Sequence, residues 1–165
     1  MSTSLLKKPA SVALLAVLLF TAHAALKVGE ALPDLGSYKL EGKLPDSMKD
    51  KVVLLDFWAS WCGPCKDSFP VMNDLHKKYA DKGLVILAVN EDETRSDMQD
   101  FLKANSASFT VVRDPAQKLV AAAGVNTMPG SFIFDKAGKL RFVHNGFHGA
   151  QTRKQYTEEI ESLLK

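Results

Sequence analysis

The sequence predicts an α/β fold in which a central mixed β-sheet is flanked by helices. Between residues 52 and 113, continuous apolar runs alternate with segments whose apolar residues recur every three or four positions. Two more strand-like runs then follow each other across a tight turn, and a last amphipathic segment ends the chain. Strands that alternate with helices in this way place helices on both faces of one sheet.

The apolar runs predict strands at residues 52–58, 84–90, 109–112, 131–135 and 140–145. The first run, VVLLDFW, is continuous except for Asp56, which is typical of a strand that is covered on both faces. The last two runs are separated only by a short turn around KAG, and so they predict a hairpin.

The segments with helical periodicity predict helices at residues 64–79, 94–105, 115–124 and 150–164. Thr94 is expected to cap the second helix, and Pro115 and Gly124 to begin and end the third. Ahead of the first strand, residues 26–50 are rich in turn-forming residues. The alternation around Glu41-Gly42 in YKLEGKL predicts a short N-terminal hairpin there.

Residues 1–24 have the pattern of a signal peptide. Lys7 and Lys8 precede an apolar stretch of about the length of a signal-peptide core, and residues 22–24 (Ala-His-Ala) fit the cleavage-site pattern. The alternative is an uncleaved membrane anchor, for which residues 10–26 are marginal beside the ~20 residues of a spanning helix. In both cases the sequence predicts an exported, periplasmic domain at residues 25–165.

The composition is that of one ordinary globular domain, with 46% hydrophobic and 24% charged residues in a chain of 165. Removing residues 1–24 takes away two lysines and no acidic residue, so the formal net charge falls from +2 to zero. A neutral domain lacks the basic character of a nucleic-acid-binding protein, and we expect no such partner.

The two cysteines of the chain, Cys62 and Cys65, flank Gly63 and Pro64 at the end of a predicted strand. A helix that begins near Pro64 puts the Cys62 sulfur at the helix N-terminus, where N–H groups and the helix dipole stabilise a thiolate. The pKa of this thiol is therefore expected below ~8.5, while Cys65 is expected to be more buried. In redox chemistry Cys62 would attack a disulfide, and Cys65 would then close the Cys62–Cys65 bond.

A metal site or a purely structural disulfide would use the same pair differently. A structural zinc site needs four ligands, and the chain has neither a second cysteine pair nor histidines at finger spacing. A disulfide across so short a loop removes little chain entropy. The acidic run NEDETRSD (90–97) lacks the loop glycine of a calcium site and predicts a solvated helix start. We therefore expect no metal and no cofactor.

The segment DFWASWCGPCK, followed by Pro70, resembles the active-site segment of thioredoxins, and NTMPGSF resembles their cis-proline loop with Pro129 as the cis residue. The lead-in hairpin, the signal and the long stretch from Asn90 to Pro129 resemble the exported TlpA/ResA branch, which carries an inserted helix and strand there. The resemblance covers about residues 26–164. It implies a thioredoxin fold and thiol:disulfide oxidoreductase activity.

The resemblance also implies a substrate-binding surface around the cysteines. The residues expected to contribute to it are Trp61, Gly63, Pro64, Met128 and Gly146. Trp61 resembles the exposed tryptophan of the family, and the backbone of Met128 is expected to pair with an extended client peptide.

Asp56 matches the buried aspartate of thioredoxins, which lies six residues before the first cysteine. Burial raises the pKa of a carboxyl group, and such a group can accept the proton of Cys65 as that thiol attacks. Many ResA-like proteins have asparagine at this position and a glutamate where this chain has Ser68. Thioredoxins carry a lysine where it has Ala88. Proton handling is therefore expected to follow thioredoxin, without that lysine.

The Gly-Pro pair between the cysteines predicts the direction of electron flow. It matches thioredoxin, with a reduction potential of ~−270 mV, rather than the oxidant DsbA at ~−120 mV. An exported reductant needs a membrane electron donor, for which the resemblance implies a thiol reductase of the DsbD/CcdA kind. The implied clients are proteins with reducible disulfides, such as apocytochrome c in cytochrome c maturation or a copper-assembly protein.

Two alternative functions use the same fold. A thiol peroxidase resembles this chain in fold and lead-in, but the threonine of that family would fall on Ala59, three residues before Cys62. A copper-binding assembly factor of the thioredoxin fold usually spaces its cysteines by three residues and adds a distal histidine. The two-residue spacing here favours the oxidoreductase.

Overall fold

The computed structural model describes residues 25–165, so the predicted signal peptide at residues 1–24 lies outside the described part of the chain. The strands are Val52–Trp58 (β1), Leu84–Asn90 (β2), Thr110–Arg113 (β3), Gly130–Phe134 (β4) and Leu140–Asn145 (β5). The α-helices are Gly63–Tyr79 (α1), Arg95–Ala104 (α2), Lys118–Ala123 (α3) and Ala150–Leu164 (α4). None of the helices in this part of the chain has the length and apolar character to cross a membrane.

The strands form one mixed sheet in the order β3-β2-β1-β4-β5. β1 pairs in parallel with β2, and β2 with β3, whereas β4 is antiparallel to both β1 and β5. The predicted α/β fold is therefore confirmed. Because the parallel strands all end at one edge of the sheet, and β4 begins there, the loops at that edge lie side by side.

Side chains of the central strand β1 alternate between two apolar cores. Leu54 and Trp58 pack into one core with α1, α2 and α4, while Leu55 and Phe57 pack into a second core with α3 and the lead-in segment. Every residue of β1 is buried, which explains the nearly continuous apolar run. By the two-residue period of a strand, Asp56 faces the core that contains α1 and α4.

The N-terminal hairpin predicted at residues 38–44 is not formed. Leu35–Tyr38 is a 3₁₀ turn, and Glu41 pairs with Arg113 of the edge strand β3 through backbone hydrogen bonds of 2.8 and 2.9 Å. The Glu41 carboxylate also accepts a hydrogen bond from Nε of Arg113 at 3.0 Å and lies 2.9 Å from Arg95. The prediction was wrong because the edge strand offers unpaired backbone groups and a cation, which a local hairpin cannot supply.

Helix α3 begins at Lys118 and not at Pro115, where the sequence placed its start. The Asp114 carboxylate accepts hydrogen bonds from the backbone N–H groups of Leu119 at 2.7 Å and Val120 at 3.2 Å. The residues between Asp114 and α3 therefore form a turn over which this side chain caps the helix. The other predicted strands and helices are observed within one residue of their expected ends.

Candidate active site

Cys62 and Cys65 form a disulfide at the start of α1. Cys62 is the N-cap residue of the helix, and its Sγ accepts a hydrogen bond from the backbone N–H of Cys65 at 3.2 Å. Pro64 lies in the first turn, where its missing N–H removes no helical hydrogen bond. Cys62 is 6% exposed and Cys65 is fully buried, so Cys62 is the sulfur that a second molecule can reach.

A groove of about 440 Å³ opens beside Cys62. Its lining residues are Trp61, Cys62, Pro64, Val125, Asn126, Thr127 and Met128. Trp61 is 73% exposed at the rim, and the Met128–Pro129 peptide bond at the end of the loop is cis. The structure thus brings three of the expected substrate-binding residues, Trp61, Pro64 and Met128, together around Cys62.

The two glycines expected to bind substrate, Gly63 and Gly146, do not line this groove. Gly146 has a φ of +81°, and its backbone N–H donates a hydrogen bond to the Pro129 carbonyl at 2.7 Å. It therefore supports the cis-proline loop from the end of β5. A Cβ added to Gly63 would meet no atom within 4 Å, so the packing around it does not require glycine there.

Asp56 is fully buried in β1, on the face of the sheet that carries Cys65. Its Oδ1 accepts a hydrogen bond of 2.5 Å from the Ser131 hydroxyl, and its Oδ2 has no hydrogen-bond partner within residues 25–165. Burial raises the pKa of Asp56 to about 7, and the Ser131 hydrogen bond opposes this increase. A carboxyl group in this state can both accept and release a proton at neutral pH.

Two residues near Asp56 differ from those of related families: Ala88 is apolar, and the hydroxyl of Ser68 is hydrogen-bonded within its own helix. Ala88 lies directly beside Asp56 in the β1–β2 register, so β2 presents a methyl group there and no cation. Ser68 is buried, and its hydroxyl donates to the carbonyl of Cys65 at 2.8 Å. The proton affinity of Asp56 is therefore set by burial and by Ser131.

Asp92 holds the turn that leads to Cys62, a role that the sequence did not reveal. It is 3% exposed, and its Oδ1 lies 3.0 Å from both the backbone nitrogen and the hydroxyl of Ser60. Its Oδ2 accepts a hydrogen bond from the side-chain amide of Asn90 at 2.8 Å. The prediction of a solvated helix start at residues 90–97 is therefore wrong for its first residues. The available signal was their position directly after a buried parallel strand.

Glu91 is also buried, at 2% exposure, and neither carboxyl oxygen has a hydrogen-bond partner in the described part of the chain. Burial, followed by the negative charges of Asp114 and Asp92, raises its pKa to about 8. Between Ala25 and Lys165, no group of three or more His, Cys, Asp or Glu side chains is arranged to hold a metal ion. With a pKa of about 8, Glu91 is mostly protonated at neutral pH.

The chain matches the AhpC/TSA family over residues 28–143. Its relatives include the thiol-disulfide oxidoreductase ResA of Bacillus thuringiensis subsp. konkukian (strain 97-27), which is 35% identical over 146 residues, or 87% of this chain and 83% of that protein. ResA of Bacillus subtilis (strain 168) is 31% identical over 129 residues, or 77% of this chain and 72% of that protein.

The chain is also similar to solved structures of the thioredoxin fold. A Chlorobium tepidum protein assigned as the thiol:disulfide interchange protein DsbE has a TM-score of 0.79 at 39% identity, covering 86% of this chain and all of that chain. StoA from Bacillus subtilis has a TM-score of 0.58 at 28% identity, covering 66% of this chain and 84% of that one. The matched residues 28–143 include the disulfide, Asp56 and the cis-proline loop.

We predict that the free energy of unfolding of the wild type falls between pH 4 and pH 7, and that Asp56→Asn abolishes this fall. Because the pKa of Asp56 is about 7 in the folded chain and its ordinary value is 3.8, the favourable protonated form is lost as pH rises through this interval. The loss in the wild type should reach about 4 kcal/mol. Urea unfolding of the oxidised protein across this range measures it. The surface variant Asp74→Asn should keep the wild-type slope, and an equal slope in Asp56→Asn would contradict the prediction.

We also predict that Asp92→Ala lowers the free energy of unfolding by about 2–4 kcal/mol, because Ser60 and Asn90 lose a buried acceptor. The matched control is Asp100→Ala, whose side chain is 70% exposed in a surface pair with Lys103. This control should change stability by less than ~0.5 kcal/mol. Chemical denaturation of both variants measures the difference. An equal loss of unfolding free energy in the two variants would show that Asp92 does not stabilise the Ser60 turn.

Proposed function

The chain belongs to the AhpC/TSA family of thioredoxin-fold proteins and is a thiol:disulfide oxidoreductase similar to ResA. We propose that it reduces disulfides of exported client proteins. The observation that carries the proposal is the position of Cys62. Its sulfur caps the N-terminus of α1 beside an open groove, while its partner Cys65 is buried behind it.

In the first step the reduced Cys62 acts as the nucleophile. The helix N-terminus stabilises its thiolate, which attacks one sulfur of a client disulfide. A mixed disulfide between Cys62 and the client forms, and the other client sulfur leaves as a thiolate. The groove between Trp61 and Met128 holds the client chain in this step.

In the second step Cys65 resolves the mixed disulfide. Its thiol gives its proton to Oδ2 of Asp56, the carboxyl oxygen that has no hydrogen-bond partner in the described structure. The Cys65 thiolate attacks Sγ of Cys62 and displaces the second client thiolate. The client gains two electrons as a dithiol, and the Cys62–Cys65 disulfide is restored.

The Gly63-Pro64 pair supports reduction as the direction of the reaction. Thioredoxin, which has the same pair, lies ~150 mV below DsbA in reduction potential, or about 7 kcal/mol for two electrons. The two positions near the cysteines that differ from related families, Ala88 and Ser68, both carry uncharged side chains. Ala88 lies beside Asp56, so β2 places no cation there.

Export, the electron donor and the clients are further parts of the proposal. The signal pattern of residues 1–24 supports a periplasmic location, whether the segment is cleaved or kept as an anchor. Outside the cytosol a membrane thiol reductase of the DsbD/CcdA kind would restore the dithiol by the same two-electron exchange. Apocytochrome c, in cytochrome c maturation, and copper-assembly proteins are clients whose cysteines must be reduced before they bind haem or metal.

A thiol peroxidase and a copper-binding factor are the alternatives. Ala59, three residues before Cys62, is buried and provides no hydroxyl for a peroxide. The two-residue spacing of the cysteines disfavours copper. Hydrogen peroxide turnover and copper titration of the reduced protein distinguish these functions from disulfide reduction.

We predict a reduction potential of ~−270 mV for residues 25–165, because the residues between the cysteines match thioredoxin. Equilibration with glutathione and dithiothreitol buffers measures it, with the thiols quantified after acid quenching. A value of ~−120 mV would reverse the proposed direction and make the protein a disulfide donor.

We predict that Cys65→Ser accumulates mixed disulfides with clients, because Cys62 can still attack but no thiol resolves the product. Cys62→Ser should abolish both turnover and trapping and is the matched control. Non-reducing electrophoresis after incubation with a disulfide-containing protein measures the adduct. Equal residual turnover in the two variants would contradict the assigned order of attack.

A further inference from the structure

Two short hydrogen bonds connect Asp56 to helix α4. The Ser131 hydroxyl lies 2.5 Å from Oδ1 of Asp56 and 2.6 Å from the hydroxyl of Tyr156. All three side chains are fully buried. Ser131 is the residue opposite Asp56 in the antiparallel β1–β4 ladder, so the strand register fixes the first of these contacts.

When Asp56 is ionised, the hydroxyl protons of Ser131 and Tyr156 have one arrangement in which both are donated. The Tyr156 hydroxyl has no hydrogen-bond partner other than Ser131 within residues 25–165, so with Asp56 ionised its proton is the one donated to Ser131 Oγ. Ser131 has one proton of its own, which is then donated to Oδ1 of Asp56. In this arrangement Oδ1 is an acceptor, and Oδ2, which has no hydrogen-bond partner in the described residues, is the oxygen that is free to take up a proton.

We propose that Tyr156 is a positioning residue that sets the protonation of Asp56 through Ser131, keeping Oδ1 as an acceptor and leaving Oδ2 as the oxygen that exchanges protons. The importance of this control for turnover rests on the proposed function, in which Oδ2 receives the proton of Cys65. Tyr156 itself contacts neither the cysteines' sulfur atoms by hydrogen bond nor the groove.

The groups around Asp56 support this assignment. From β2 the neighbour is Ala88. From α1 the same core contains Cys65, which is held in the disulfide, and Tyr79, whose hydroxyl is bound to Glu161. On the α4 side, Glu159 is bound to His144 of β5 at 2.6 Å. Burial, the charge of Asp56 and the charge of Glu159 all raise the pKa of Tyr156, so its hydroxyl stays a proton donor across the working pH range.

Removing the Tyr156 hydroxyl has a defined effect on Asp56. Ser131 would then be free to rotate and to accept a proton from Asp56, so the carboxylate would lose part of its stabilisation while burial would remain. The midpoint of the Asp56 titration should therefore rise in Tyr156→Phe, by about half a pH unit to one unit for one hydrogen bond.

The experiment is a carboxyl ¹³C NMR titration of the oxidised protein with labelled aspartate. The Asp56 resonance is identified by its absence in Asp56→Asn. Tyr156→Phe, Ser131→Ala and the double variant are compared with wild type. The matched control is Tyr79→Phe, which removes a hydroxyl that is bound to Glu161 and not to Asp56.

An upward shift in Tyr156→Phe that disappears when the same change is made in the Ser131→Ala background, with no shift in Tyr79→Phe, supports the proposal. A wild-type midpoint in Tyr156→Phe overturns it, and so does a shift of the same size in both backgrounds, because Tyr156 would then act without Ser131. Incorporation of 3-fluorotyrosine at position 156, a stronger donor of nearly the same size, should lower the midpoint and provides a test that does not depend on folding of Tyr156→Phe.

The proposed function is tested separately by the pH profile of insulin disulfide reduction with the same full-length variants. If the profile follows the NMR midpoints, Asp56 is the proton acceptor of Cys65. If the NMR midpoints shift while the profile stays unchanged, the role of Asp56 in the proposed function fails and the Tyr156 proposal stands.

Discussion

A carboxyl group inside the central strand is the constraint on which the site depends. β1 is hydrogen-bonded to strands on both sides and covered by apolar cores on both faces, so Asp56 has no access to water. A permanently charged carboxylate there would be strongly unfavourable. The structure accommodates it because the pKa rises to about 7 and Ser131 stands opposite in the register. The strand that organises the sheet therefore also carries a proton that can be exchanged at neutral pH.

The groove is built at the sheet edge where three parallel strands end, and carboxylates from neighbouring strands position both of its walls. Asp92, after β2, holds the Ser60 turn that precedes Cys62. Asp114, after β3, caps α3, whose C-terminal end leads directly into the groove residues 125–128. Each acid satisfies backbone N–H groups that would otherwise be unpaired. The geometry around the reactive sulfur thus depends on strand order as much as on the Cys-Gly-Pro-Cys segment itself.

Most of the fold and the centre of the site could be predicted, because they are encoded locally. Buried strands appear as apolar runs, Pro64 marks the start of α1, and the interruption at Asp56 identifies a costly buried acid. The hairpin prediction was wrong because Glu41 pairs with Arg113, which lies 72 residues further along the chain, and no local sequence pattern reveals such a contact. The burial of Glu91 and Asp92, and the Ser131–Tyr156 connection, escaped prediction for the same reason: they follow from strand register and from which helix packs above it.

A proton acceptor that titrates near neutrality beside a thiol couples the redox state to protonation. In the oxidised structure the buried Cys65 sulfur and Asp56 lie on the same face of the sheet, so once the disulfide is reduced a negative charge on either group disfavours a charge on the other. Protons then leave the pair in steps that belong to both groups together. In the proposed function Oδ2 is the oxygen that takes the Cys65 proton, because Oδ1 already accepts the Ser131 hydrogen bond. The Cys65 thiolate would then form as Asp56 takes up its proton, so that in the proposed function the resolving step depends on the protonation state of one buried carboxyl group.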